Sequence, residues 1–123
     1  MSGNKLFLDT NIVLYLLQGD KTLAEVLNNK QIHISFITQL ELLSFAGLSR
    51  KETNVINELL KECVIIDINS EIKNLTIHNR KRYKLKLPDS IISATSLYLD
   101  LPLITADGDF KKIEELDLIF YER

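Results

Sequence analysis

The sequence predicts a three-layer α/β/α fold with a mostly parallel central sheet, and three observations predict it. Short runs rich in Ile, Val, Leu and aromatic residues alternate with longer segments of helical periodicity, the pattern that sandwiches parallel strands between helices. Acidic residues stand where two of those runs end, as they do at the carboxyl edge of an open parallel sheet. With 4 Gly and 2 Pro in 123 residues, and no repeat or low-complexity tract, the chain has little room for long flexible loops. One domain spanning residues 1–123 is expected, since a chain of this size buries about two-thirds of the surface that its unfolded form exposes.

Each element has a local reason. Lys5 to Leu8 is a short apolar strand, followed by two short helices, Asn11 to Gln18 and Lys21 to Asn29, split near Gly19-Asp20. Ile32 to Phe36 is the second strand. A helix from Ile37 to Leu48 ends close to Gly47, and Arg50 to Lys61 forms the next. Val64 to Ile68 reads as a core strand. Ser70 is the expected N-cap of a helix reaching about Tyr83, and Pro88 opens another that runs to Asp100. Leu103 to Thr105 and Leu118 to Tyr121 complete the strands.

Composition excludes several classes of function. A formal net charge of −2 means that the molecule is no polycation, so a nucleic-acid partner would need a local basic patch or a metal ion. Cys63 is the single cysteine and cannot form an intramolecular disulfide, which fits a reduced cytoplasm. The apolar run Ile12 to Leu17 is too short to span a bilayer and lacks the basic flank of a signal peptide, so no membrane segment is expected.

Four acidic residues stand in apolar stretches. Asp9 follows Leu6-Phe7-Leu8, and Asp107 repeats the arrangement after Leu103-Ile104-Thr105-Ala106. Glu41 has Ile37, Thr38, Ser44 and Phe45 as its helical neighbours, none of them basic. Asp89 lies in the first turn of a helix that is apolar or small on every face. Each also has an ordinary reading: helix caps for Asp9 and Asp89, a solvent edge for Glu41, a turn for Asp107-Gly108. Together they require four independent coincidences. At an effective dielectric near 20, two carboxylates about 4 Å apart cost roughly 4 kcal/mol, and a hard divalent cation offsets that repulsion.

The segments Leu8-Asp9-Thr10-Asn11-Ile12, Ser35 through Thr38 leading to Glu41-Leu42, Lys86-Leu87-Pro88-Asp89-Ser90 and Thr105-Ala106-Asp107-Gly108-Asp109 resemble the successive signatures of a PIN domain, in family order and over nearly the whole chain. The compact size and the Leu-Pro-Asp helix are most similar to VapC-type ribonuclease toxins of prokaryotic toxin–antitoxin pairs. The resemblance implies a PIN-like α/β/α fold and a cytoplasmic, Mg²⁺- or Mn²⁺-dependent endoribonuclease, with an RNA substrate, a cognate antitoxin and a homodimer as expected partners. It implies an acidic quartet of Asp9, Glu41, Asp89 and Asp107. Asp9 and Asp89 would ligate metal directly, while Glu41 and Asp107 would hold waters, position a second ion or help deprotonate the attacking water. In-line attack would leave a 3′-hydroxyl and a 5′-phosphate. Asp109 is an alternative for the fourth acidic role, with Asp107 favoured by its place at the strand end. Thr10, Asn11 and Thr105 match polar positions that orient carboxylates or waters, although caps and turns account for them equally well.

Six basic residues, Lys73, Arg80, Lys81, Arg82, Lys84 and Lys86, occur without an intervening acid and run directly into Pro88-Asp89. They read as an RNA-backbone approach, or as a solvated helix end, and Tyr83 among them as a stacking ring or a packed one. His33 and His78 belong to none of the motifs. Besides a metal-free binding protein of the same fold, against which the complete quartet argues, two other functions compete: a stand-alone PIN ribonuclease in RNA processing, and a receiver-like signalling module that binds Mg²⁺. The second would need an acceptor aspartate, for which Asp67 is a weak candidate, and a lysine after a late strand, which is missing.

Overall fold

The computed structural model describes residues 4–123. Five strands and six helices alternate as β1 (Lys5–Leu8), α1 (Thr10–Leu17), α2 (Lys21–Leu27), β2 (Gln31–Ser35), α3 (Phe36–Leu43), α4 (Arg50–Lys61), β3 (Val64–Ile66), α5 (Ser70–Tyr83), α6 (Leu87–Leu99), β4 (Leu103–Thr105) and β5 (Leu118–Phe120). A 3-10 turn, Gly108–Lys112, joins the last two strands.

The sheet has the order β3-β2-β1-β4-β5 and every pairing is parallel. The chain steps outward from β1 to β3, then crosses back to lay β4 on the other side of β1. A crevice therefore opens between the carboxyl ends of β1 and β4, where connections leave in opposite directions. Leu8 pairs with Ile104 in register, so the residues that follow these strands leave the sheet side by side.

Strand alternation divides the core. Leu6, Leu8 and Ile104 face one layer, where they meet Ile12 and Val13 of α1, Leu23 and Leu27 of α2, and Ile56 and Leu60 of α4. Phe7 and Leu103 face the other, against Ile92 of α6 and Phe110. This is the period-2 consequence of an extended chain buried on both faces. Helix α5 packs on α6, where the buried Asn79 donates from Nδ2 to Ser93 Oγ at 2.9 Å. That bond gives the buried amide a partner for one of its donors, which lowers the cost of burying it.

Several boundaries differ from the sequence expectation for identifiable reasons. Ser70 is not the cap of α5: Asn69 is, its side chain accepting from Ile72 N at 2.8 Å, and Ser70 is the first helical residue. β2 stops at Ser35 because the Ser35 hydroxyl takes the Ile37 N–H and starts α3 one residue early, with Phe36 helical. Helix α3 ends at Leu43, short of Leu48, as the Ser44 hydroxyl bonds the Leu40 carbonyl at 2.6 Å and Gly47 adopts φ +78° beyond it. The third strand closes at Ile66, where the Asp67 carboxylate accepts from Ile68 N.

Candidate metal centre

The centre is built where two strands hand over to helices. Asp9 follows β1 with extended backbone angles and caps α1, its Oδ1 accepting from Thr10 N at 2.8 Å. Its backbone N–H bonds the Ile104 carbonyl, which ties this corner to β4. The second oxygen, Oδ2, accepts from Thr105 Oγ1 at 2.7 Å. Thr105 also takes the backbone N–H of Asp107 at 3.0 Å, so one buried threonine couples the acidic residues that follow the two strands. Only 5% of Asp9 is exposed. Burial raises its pKa, opposed by the hydrogen bonds from Thr105 and Thr10 and reinforced by the charges of Asp107 and Glu41.

Glu41 reaches the same cleft from α3. Its Oε1 accepts the Thr10 hydroxyl at 2.7 Å, and Thr10 Oγ1 lies 2.8 Å from Thr38 Oγ1. Thr10 has one hydroxyl proton and gives it to Glu41, so Thr38 is the donor of the second bond and the chain runs Thr38 to Thr10 to Glu41. Thr10 thus binds Asp9 through its backbone and Glu41 through its side chain. Sequence reasoning missed Thr38 in this role. Its signal was positional: it lies three residues before Glu41, on the same helix face.

Asp89 occupies the third position of α6, after the exposed Lys86 cap and Pro88. A helix N-terminus favours a carboxylate. Its pKa is nevertheless raised to about 6, first by burial and then by the charges of Asp9, Asp107 and Asp109, with Lys86 pulling the other way. Asp89, Asp107 and Asp109 each offer a carboxylate oxygen within 4.8 Å of the others. Asp107 lines the cleft together with Asp9, Thr10, Asn11, Glu41 and Asp89, and its Oδ1 accepts from Asp109 N at 2.9 Å. Asp109 is exposed and pairs with Lys112 at 3.9 Å. Both aspartates therefore reach the centre, with Asp107 the inner one.

The donor set fits a hard divalent cation. It is all oxygen, the carboxylates of Asp89, Asp107 and Asp109 can approach one point, and burial together with the surrounding acidic charges raises the pKa of Asp89. The cleft, about 240 Å³, is completed by Leu14, Phe45 and Ile92, which sequence reasoning did not assign to it.

Other expected site residues divide. Asn11 is exposed at the edge of the cleft. Arg80, Lys81 and Arg82 form the last turn of α5, Lys84 follows in the left-handed conformation (φ 55°), and all of them and Lys86 are exposed. Arg82 is engaged: its Nε donates to the Tyr83 hydroxyl at 3.2 Å, which donates to Glu115 at 2.9 Å. The partly buried Tyr83 side chain packs against the Phe7 side of the core. His33 is buried within β2 and His78 is exposed on α5, and neither lines the cleft.

A family model described as PIN domain matches residues 6–116. Ribonuclease VapC2 of Methanocaldococcus jannaschii is 30% identical, over 97% of this chain and 95% of that protein. Among solved structures, a toxin–antitoxin complex from Klebsiella pneumoniae contains a chain with TM-score 0.83 and 33% identity, covering 96% of this chain and 99% of that one. VapBC2 from Rickettsia felis, bound to a DNA fragment from its promoter, matches with TM-score 0.82 at 21% identity, covering 96% and 99%.

Proposed function

The chain belongs to the PIN domain family, and from that premise we propose that it is a metal-dependent endoribonuclease acting as the toxin of a toxin–antitoxin pair. The observation that carries the reading is the cleft itself: four carboxylates from four separate elements converge at the crevice between β1 and β4, on a chain whose relatives include a ribonuclease. No helix among the described residues is long and apolar enough to cross a membrane, and we place the activity in the cytoplasm, where RNA is available and a lone thiol stays reduced.

In this reading Asp9, Glu41, Asp89 and Asp107 would hold Mg²⁺ or Mn²⁺, with the exposed Asp109 close to Asp89 and Asp107. When bound, such an ion supplies charge to the scissile phosphate and acidifies water. The protein's own contribution is orientation. Thr105 and the Thr10 amide each hold one oxygen of Asp9, which keeps that carboxylate in a single rotamer. Thr38 and Thr10 hold Glu41 by one oxygen and leave the other free to accept a proton from the attacking water. Hydrolysis by water would leave a 3′-hydroxyl and a 5′-phosphate, without using the 2′-hydroxyl as nucleophile.

The test is cleavage of RNA by the purified protein with Mg²⁺ or Mn²⁺ and with EDTA, beside Asp9→Asn and Asp89→Asn. Cleavage is expected only with metal and is lost in both variants while the folded circular-dichroism spectrum persists. A variant that cuts at the parental rate overturns the assignment. Sequencing the cut ends checks the expected end groups and identifies the RNA.

A further inference from the structure

The cleft is lined by the carboxylates of Asp9, Glu41, Asp89 and Asp107 and by the apolar side chains of Leu14, Phe45 and Ile92, of which Ile92 is buried. Phe45 stands four residues after Glu41, immediately past the Ser44 bond that ends α3, and 45% of it is exposed. A large, half-exposed apolar ring beside a polar cleft offers a face that a flat ligand can cover. A nucleotide carries both complementary groups across one ribose: a phosphate for the cation-loaded carboxylates and a flat base for the Phe45 ring.

Resting on the ribonuclease reading, we propose that Phe45 is a base-stacking residue that holds the base next to the scissile phosphate. Stacking requires a base already freed from its neighbours, and unstacked bases are what proteins read in RNA. It also gives the basic segment and Phe45 separate tasks, since Arg80 and Lys81 meet backbone charge in any sequence and the ring meets a base. Tyr83, the aromatic residue inside the basic segment, is packed and tied to Glu115, so it does not serve this purpose.

The competing occupant is a polypeptide. Leu14 and Phe45 also border a groove of about 380 Å³ that continues to Leu17, Leu48, Val55 and Ile56. A protein segment lying there would cover the ring as well. The base is favoured because these two shared residues lie at the acidic end, where the scissile phosphate must sit for any cut to occur.

Steady-state cleavage of a short single-stranded RNA of mixed sequence in Mn²⁺ is measured for the parent, Phe45→Ala, Phe45→Leu and Phe45→Tyr. A stacked base predicts a fall in kcat/KM of about 10- to 100-fold in Phe45→Ala and Phe45→Leu, and recovery of most of it in Phe45→Tyr. Mn²⁺ affinity and melting temperature should stay at parental values in all three. A second arm follows the fluorescence of 2-aminopurine in the same RNA when bound by Asp89→Asn protein, which holds RNA uncut. Quenching is expected, and its loss on adding Phe45→Ala. Phe45→Leu cleaving like the parent, no quenching by the Asp89→Asn protein, or a Phe45→Ala that loses only its affinity for a protein inhibitor each overturns stacking. A parent that cuts no RNA in Mn²⁺ overturns the ribonuclease reading instead, and the fluorescence arm still decides stacking.

Discussion

Asp89 condenses the centre's electrostatics into one side chain. It stands where a helix N-terminus should favour its charge, yet burial and three neighbouring aspartates push its pKa up to about 6. The folded protein therefore carries repulsion that a divalent cation removes and that a neutral side chain also removes. In EDTA near pH 7.5, Asp89→Asn is expected to melt a few degrees above the parent. Added Mn²⁺ should then raise the parent's melting temperature more than the variant's. Equal stabilisation of the two by Mn²⁺ would mean that the ion binds elsewhere. Asp9 differs because both of its oxygens are hydrogen-bonded, so removing its charge also disturbs the corner where β1 and β4 meet. The acidic identity of these positions was legible in the sequence, since a carboxylate in an apolar run is costly without a reason. The Thr38 bond was not, because a buried threonine in a helix is ordinary until its partner's position is known.

At the scale of the element, the end of α5 is the informative piece. Its basic residues were legible as an uninterrupted run, but which of them are available was decided by packing. Arg80 and Lys81 are exposed, whereas Arg82 is tied to Tyr83 and through it to Glu115. Arg80→Ala and Lys81→Ala are each expected to weaken RNA binding and flatten the slope of log K against log salt by about 0.7, the value for one contact to a single-stranded backbone. Arg82→Ala should change the slope less. Titrations at several salt concentrations check this, and an unchanged slope in the first two variants would remove the segment from the RNA path. The cap of this helix makes the same point on a smaller scale. Asn69 and Ser70 are both good caps by composition, and the choice fell to the one whose oxygen meets Ile72 N.

The whole molecule presents an acidic cleft beside an apolar groove, with Leu14 and Phe45 common to both, and a toxin must be silent in resting cells. The simplest inhibitor is an antitoxin segment with apolar side chains for Leu17, Val55 and Ile56 and an Arg or Lys that reaches the carboxylates. Co-expression with the neighbouring gene product is expected to yield an inhibited complex that survives Arg80→Ala with Lys81→Ala, if the basic segment serves RNA alone. Val55→Asp should release inhibition while leaving RNA cleavage near the parental level, since Val55 lies outside the cleft. Failure of any inhibitor to co-purify would favour a stand-alone PIN ribonuclease.

Sequence alone determined the alternation of elements, the strand-end aspartates and the four motifs in family order, because periodicity, turn chemistry and misplaced charge are local properties. Leu6 and Leu8 against Phe7 already encode a strand buried on both faces. Only the tertiary structure decided that β4 returns beside β1, that Thr105 reaches Asp9 across 96 residues of chain, and that Asp107 and Asp109 both approach Asp89. It also decided that Phe45 lines the cleft while the partly buried Tyr83 packs against the core. These are distances between segments remote in sequence. They follow from how two layers of helices fill the space over one sheet, and neither composition nor local periodicity carries that information.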